Sequence, residues 1–128
     1  MILRKYTSLI GIGSAQIDLV LPKDTFKQGE EIKGHFLIKG GITEQQILQI
    51  DCDLIRIDHT TNEETIFHTI TLPIEKSIDK DKEEKRAFSY ILHPNIPVST
   101  SKTSYGFRTK MTFNQGVVST DIDYIRIV

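Results

Sequence analysis

The sequence lacks the features that mark several large protein classes. Cys52 is the only cysteine in 128 residues, which excludes an internal disulfide framework and fits a reducing compartment. The 16 basic and 17 acidic residues give a net charge of -1, so no overall field favours nucleic acid or an anionic membrane. No apolar stretch approaches the roughly twenty residues of a membrane span. We therefore expect one cytoplasmic domain, residues 1–128, without nucleic acid or a membrane span.

A glycine-rich phosphate loop is also absent. Gly11 and Gly13 stand one residue apart, but a dinucleotide fingerprint needs a preceding strand, a third glycine and a following helix. Here the glycines precede residues 15–21, which alternate as a strand does, and Pro22 ends that run. The pair is therefore predicted to be a flexible entry into the first strand, and no cofactor is expected.

Most of the remaining chain alternates between apolar and polar residues with a period of two, the pattern of half-buried strands. The alternating segments are 15–21, 32–38, 46–58, 64–74, 87–92, 105–113 and 124–128. The short polar connection after Asp58 predicts that 46–58 and 64–74 form a hairpin. The densely charged residues 75–86 predict a solvated loop. Residues 2–10 hold the one segment with the spacing of a short helix.

Seven or eight strands without helices predict an all-β fold, an antiparallel two-sheet β-sandwich of the immunoglobulin-like class, with a barrel as the alternative. Eleven apolar side chains are expected on the inner faces: Ile17, Leu19, Ile32, Phe36, Ile50, Leu54, Ile70, Leu72, Phe88, Phe107 and Phe113.

Three stretches together have a more specific pattern. In GIGSAQIDLVLPKDTFKQGEEIKGHFLIKGG, a small-residue entry and a strand precede an acidic residue, a spacer, Gly-Glu, and a strand with an internal glycine and a Gly-Gly end. The matching positions are Asp24, Gly29, Glu30, Gly34, Gly40 and Gly41. With TEQQILQIDCDLI and STDIDYIRIV, this pattern resembles the bacterial stage-zero sporulation-control protein M (SpoOM) family.

The resemblance implies an arrestin-like sandwich that corresponds to the first lobe of a two-lobed family. It also implies a non-enzymatic regulatory adaptor that binds protein partners in sporulation or stress-response control. The chain is then a single-domain relative or a piece without the second lobe. The six matching residues are interpreted as fold-specifying: Gly29 suits a turn with positive φ, Gly34 a crowded strand position, and Glu30 a polar contact beside the turn.

Few residues suggest chemistry. The four histidines lack metal-ligand spacing. His68 is of interest because its strand neighbours are apolar and burial would lower its proton affinity; a satisfied histidine at the sheet margin is the alternative. Cys52 shares an apolar strand face with Ile50 and Leu54, where a thiol behaves as a small hydrophobe. Asp121 and Asp123 could share a hard cation, or could be solvated turn carboxylates.

The partner-binding surface is harder to predict. Lys33, Lys39, Arg108 and Lys110 occupy outward strand positions and would form a basic patch for an acidic or phosphorylated peptide if their strands are close; scattered lysines that discourage edge aggregation are the alternative. Residues 23–28 and 94–101 are the other expected contact segments. Two competing functions are a small-ligand carrier or enzyme with an interior pocket, and a homodimer formed through an exposed sheet edge.

Overall fold

The computed structural model describes residues 5–7, 13–114, 116 and 118–128, and every regular element in them is a β-strand. The nine strands are β1 Lys5–Thr7, β2 Gln16–Val20, β3 Thr25–Phe26, β4 Glu31–Lys39, β5 Gln45–Asp58, β6 Glu63–Ile78, β7 Glu83–Ile91, β8 Thr103–Phe113 and β9 Val118–Ile127. Within the described ranges, no helix is long and apolar enough to cross a membrane. The predicted all-β class is confirmed.

The strands form two sheets. The larger has the order β1-β9-β8-β5-β6, with β3 beside β9, and the smaller has the order β2-β4-β7. Neighbouring strands are antiparallel except β3, which runs parallel to β9. The strands β6 and β7 are consecutive in the chain but lie at the ends of different sheets. They therefore form one margin of the sandwich, and β2 and β9 meet at the other.

The core lies between the two sheets. Of the eleven side chains expected inside, nine are buried; Ile70 and Leu72 are only half-buried because their strand, β6, is the last of its sheet. Aromatic rings join the layers: Phe88 of the smaller sheet lies edge to face against Phe107 of the larger, with ring centroids 5.3 Å apart. This packing is that of the predicted sandwich rather than of a barrel.

The predicted hairpin is confirmed. β5 and β6 pair antiparallel over almost their whole length, from Gln45 opposite Ile78 to Asp58 opposite Glu63. Asn62 closes the turn with φ of 62°, a conformation that asparagine adopts more readily than most residues. The pairing shifts between Leu54, which lies opposite His68, and Ile55, which lies opposite Ile66. Phe67 is therefore an extra residue in β6, as in a β-bulge. Phe67 then contacts Tyr105, and His68 contacts Tyr90.

Two local predictions were wrong. Residues 75–86 are not one solvated loop, because β6 continues to Ile78 and β7 begins at Glu83, leaving only 79–82 as the turn. The charged residues of this segment belong largely to β6 and β7, which are the last strands of their sheets, where charged side chains are common. One ion pair joins the two strands: the Lys76 ammonium lies 2.8 Å from the Glu84 carboxylate. The expected helix at 2–10 includes Lys5–Thr7, which form a strand against β9; the rest of that segment lies outside the described residues.

The Gly40-Gly41 pair is required for space rather than for positive φ. A Cβ on Gly40 would collide with the carbonyl oxygen of Asp79, and one on Gly41 with the carbonyl oxygen of Gly13. Two backbone bonds close the same junction, from the Gly40 N–H to Lys82 and from the Asp81 N–H to Gly41. The end of β4 is therefore packed directly against the turn that joins the two sheets.

Of the other motif positions, Gly29 and Glu30 lie at the turn before β4, and Gly34 lies within β4. Gly29 has φ of 79°, and the Glu30 carboxylate accepts a 2.8 Å hydrogen bond from the Lys27 N–H across that turn. A Cβ on Gly34 would collide with the carbonyl oxygen of Val20 in the neighbouring strand. Each residue thus has a local structural reason, and their role in specifying the fold stays a prediction.

Candidate functional site

Three carboxylates meet at the margin between β2 and β9. Alternation along β9 places Asp121 and Asp123 on its inward face, where they are 2% and 6% exposed, and β2 adds the half-buried Asp18. One oxygen from each lies within 4.8 Å of one from each of the others. The sequence indicated the two aspartates of β9 but not Asp18, because a residue 103 positions away in the other sheet has no local signal.

Asp121 also connects the two sheets. Its Oδ2 accepts a 3.1 Å hydrogen bond from the backbone N–H of Leu19. Burial, and then the hydrogen bond and the charge of Asp123, raise the pKa of Asp121 well above its usual range. The prediction that Asp121 and Asp123 are solvated turn carboxylates is therefore wrong, because both side chains are buried.

A cavity of about 440 Å³ opens beside this cluster. Its lining includes the buried Asp123, the half-buried Asp18 and the exposed Lys23, Asp24 and Tyr124. The Lys23 ammonium is 2.7 Å from the Glu30 carboxylate, so it already has an anionic partner. Three carboxylates, from Asp18, Asp24 and Asp123, thus contribute to a cavity that reaches solvent.

The opposite margin has an open strand edge. β6 is 16 residues long and, within the described chain, pairs only with β5. Pro73 lies in this strand, and a proline is tolerated there when its nitrogen faces away from the paired strand. Since backbone direction alternates along a strand, the N–H groups of Thr71 and Thr69 face the same open side.

Side-chain contacts support this register. The Thr69 hydroxyl donates to Asp53 at 2.6 Å, and the Thr71 hydroxyl donates to Asp51 at 2.7 Å. Side chains approach most closely at pairs of residues that do not exchange backbone hydrogen bonds. The backbone of Thr69 and Thr71 therefore remains available to another strand.

An aromatic groove of about 390 Å³ lies beside this edge. Phe67, which is 38% exposed, packs edge to face on Tyr105 at 5.7 Å. His68 lies against Tyr90 at 5.6 Å, and Pro97 completes the far wall. His68 is exposed, so the expectation of burial is wrong and the alternative of a histidine at the sheet margin describes its position.

The four predicted basic contact residues do not form one patch. Lys33 and Lys39 lie on β4 of the smaller sheet, whereas Arg108 and Lys110 lie on β8 of the larger sheet. All four are outward positions, so the two pairs face opposite sides of the sandwich. Arg108 also has anionic neighbours of its own, with Glu64 at 2.8 Å. Partner binding by either pair stays a prediction.

The two predicted contact segments, in contrast, are neighbours. Gln28 donates from its side chain to the carbonyl oxygen of Ile96, which joins segment 23–28 to segment 94–101. Both are held against β9: Phe26 pairs with Ile127, and the Ser99 N–H donates to the carbonyl oxygen of Ile127 at 2.8 Å. They form one end of the sandwich, and Pro97 connects that end to the aromatic groove.

The nucleophilic residues lack the environment of a catalytic centre. Burial raises the pKa of the Cys52 thiol to about 12, so it stays protonated and unreactive. His59 Nε2 lies 2.8 Å from the Ser104 hydroxyl, a pair that sequence reasoning missed. This pair is exposed, and among the described residues no carboxylate bonds to the other ring nitrogen of His59, as an oriented catalytic base requires.

Comparison with known proteins identifies the family. The family model described as SpoOM protein matches residues 3–128. The chain belongs to the SpoOM protein family. It is 27% identical to the sporulation-control protein spo0M of Bacillus subtilis (strain 168) over 128 residues, which is 95% of this chain and 50% of that protein. The chain thus spans about half the length of this curated relative.

Solved structures support the same fold. The crystal structure of Spo0M from Bacillus subtilis superposes with a TM-score of 0.80 at 25% identity, covering 90% of this chain and 49% of that one. A Niemann-Pick type C2 protein from the Japanese carpenter ant superposes with a TM-score of 0.66 over 100% of both chains, but at 8% identity. The second likeness shows a shared fold alone.

Proposed function

We propose that this chain is a non-enzymatic adaptor of the cytoplasm that takes part in sporulation control by binding a partner protein. Its family, and the sporulation-control name of its Bacillus subtilis relative, support the regulatory process. The partner binds by adding a strand to the free edge of β6. The observation that carries this proposal is the open backbone of Thr69 and Thr71.

The edge has the features that strand addition needs. A bound strand gains affinity from main-chain hydrogen bonds and specificity from side-chain pockets beside them. β6 offers the first through the backbone of Thr69 and Thr71, and the groove at Phe67 and Tyr90 offers the second. Pro73 and the positive φ of Glu75, 48°, limit regular pairing to the part of the strand before them.

The experiment locates the contact and then measures it. A photo-crosslinking residue at position 71 is compared with one at position 33, on the outer face of the other sheet, in cells that produce the protein. We expect an adduct at position 71 that is absent at position 33. The captured protein is then purified, and its affinity for the chain is measured by calorimetry.

Thr69→Pro is the decisive variant, since it removes an outward N–H. We expect it to weaken binding about tenfold or more. Thr69→Val is the matched control, because it removes the same side-chain bond to Asp53 but keeps the N–H. Equal affinity of both variants, or no adduct at position 71, would contradict strand addition.

Self-association through the same edge is the competing function. Light scattering coupled to size-exclusion chromatography distinguishes the two. A stable dimer that Thr69→Pro converts to a monomer would assign the edge to a second copy of the chain, whereas a monomer leaves it free for another protein.

A further inference from the structure

The acidic cluster between β2 and β9 has a geometry that fits one bound cation. Two oxygens that bind the same calcium ion at 2.3–2.6 Å lie at most about 5 Å apart. One carboxylate oxygen from each of Asp18, Asp121 and Asp123 lies within 4.8 Å of the other two. The three come from both sheets, so the arrangement depends on the tertiary fold rather than on a loop.

The second observation concerns one buried oxygen. Asp121 is 2% exposed, and its Oδ2 accepts the Leu19 N–H. Its Oδ1 is also buried, and no donor among the described residues bonds to it. Buried carboxylate oxygens are ordinarily hydrogen-bonded or bound to a metal, because water no longer solvates them. This oxygen lacks such a ligand.

We propose that Asp18, Asp121 and Asp123 bind one calcium ion. The cluster contains only carboxylate oxygen, the ligand type of hard cations, and no imidazole or thiolate that would favour zinc or copper. Calcium takes six to eight oxygen ligands, and the adjoining cavity of about 440 Å³, whose lining includes Asp24, has room for water.

The ion would tie the sheets together at this margin. Asp18 belongs to the smaller sheet and the other two ligands to the larger, so one cation would hold β2 against β9. It would also offset the mutual repulsion of three carboxylates that are held close together. This site is separate from the β6 edge, and either proposal can fail without the other.

The test uses the 128-residue chain freed of metal with EDTA and dialysed. Calorimetric titration with CaCl₂ should show one ion per chain, and millimolar calcium should raise Tm by about 5 °C or more. Asp121→Asn and Asp123→Asn should weaken calcium binding at least tenfold. Both variants should still fold, because asparagine is isosteric and Asn at position 121 can still accept the Leu19 N–H.

Asp81→Asn is the matched control, since it removes one carboxylate from the exposed turn between β6 and β7. It should bind calcium as the unaltered chain does. The proposal is overturned if calcium gives neither heat nor a Tm shift, or if the cluster variants respond as Asp81→Asn does. Tighter binding of magnesium or zinc than of calcium would overturn the assignment to calcium.

Discussion

The two margins of the sandwich solve the same problem in different ways. At one margin β6 and β7, which are the last strands of their sheets, face each other; at the other, the last strand of the smaller sheet, β2, lies beside β9, which is paired with β1 and β8. At the β2/β9 margin a side chain substitutes for a strand: Asp121 accepts the Leu19 N–H, and β1 and β3 cover parts of β9. At the β6/β7 margin, β6 and β7 contact each other through side chains such as Lys76 and Glu84. The side of the β6 backbone that faces away from β5 has no partner strand among the described residues.

This difference is the basis of the two kinds of binding that we propose. The closed margin, β2/β9, has buried carboxylates beside a cavity that reaches solvent, which suits a small ion. The open margin has backbone donors and exposed aromatic rings, which suit a polypeptide strand. The comparison predicts that substitutions at the closed margin change stability, whereas those at the open margin change partner binding and leave the fold intact.

The largest expected effect separates the core from the open margin. Phe107→Ala removes a buried ring that contacts Phe88 and Tyr90, and should cost about 3–5 kcal/mol in the free energy of unfolding. Phe67→Ala removes a half-exposed ring with one aromatic contact and should cost about 1 kcal/mol. Urea denaturation measures both. Equal losses would show that the open margin is part of the core.

A smaller effect tests the closed margin. Asp121→Ala leaves the Leu19 N–H buried without an acceptor and should cost about 1–3 kcal/mol. Asp121→Asn keeps an oxygen acceptor and should be close to the unaltered chain. The two variants are compared by denaturation in EDTA, so that metal does not contribute. If alanine and asparagine behave alike, the bond to Leu19 does not hold β2 in place.

Much of this architecture was predictable from alternation. A period of two identifies a strand and its buried face, and the short polar turn after Asp58 correctly indicated the β5–β6 hairpin. Alternation does not say which sheet a strand joins. Lys33 and Arg108 are both outward, as predicted, yet they lie on opposite faces of the molecule because β4 and β8 belong to different sheets.

The missed features have the same cause. Residues 75–86 resemble a loop in sequence because only Ile78 among them is buried, and the less exposed positions of β7 in this range are the charged Glu84 and Arg86. Asp18 joins Asp121 and Asp123 only after β2 is placed beside β9. Local pattern gives the elements, and contacts between residues far apart in the chain form the site.

The smallest expected effect concerns the ion pair that crosses the open margin. Lys76 of β6 and Glu84 of β7 are 2.8 Å apart, and the lysine is half-exposed, so Glu84→Gln should cost no more than about 1 kcal/mol at pH 7. The hydrogen bond from Lys76, followed by that from Arg86, lowers the pKa of Glu84 in the folded chain.

The sign of the pH dependence follows from that direction. Because the folded pKa lies below the unfolded value of 4.5, the stabilisation is complete above that pH and is lost as pH falls through the folded pKa. The difference between Glu84→Gln and the unaltered chain should therefore shrink as pH falls below 4.5 and through the folded pKa. Glu83→Gln, an exposed neighbour, is the control. A difference that persists in acid would assign the effect to packing and would make this margin more closed than its exposed backbone indicates.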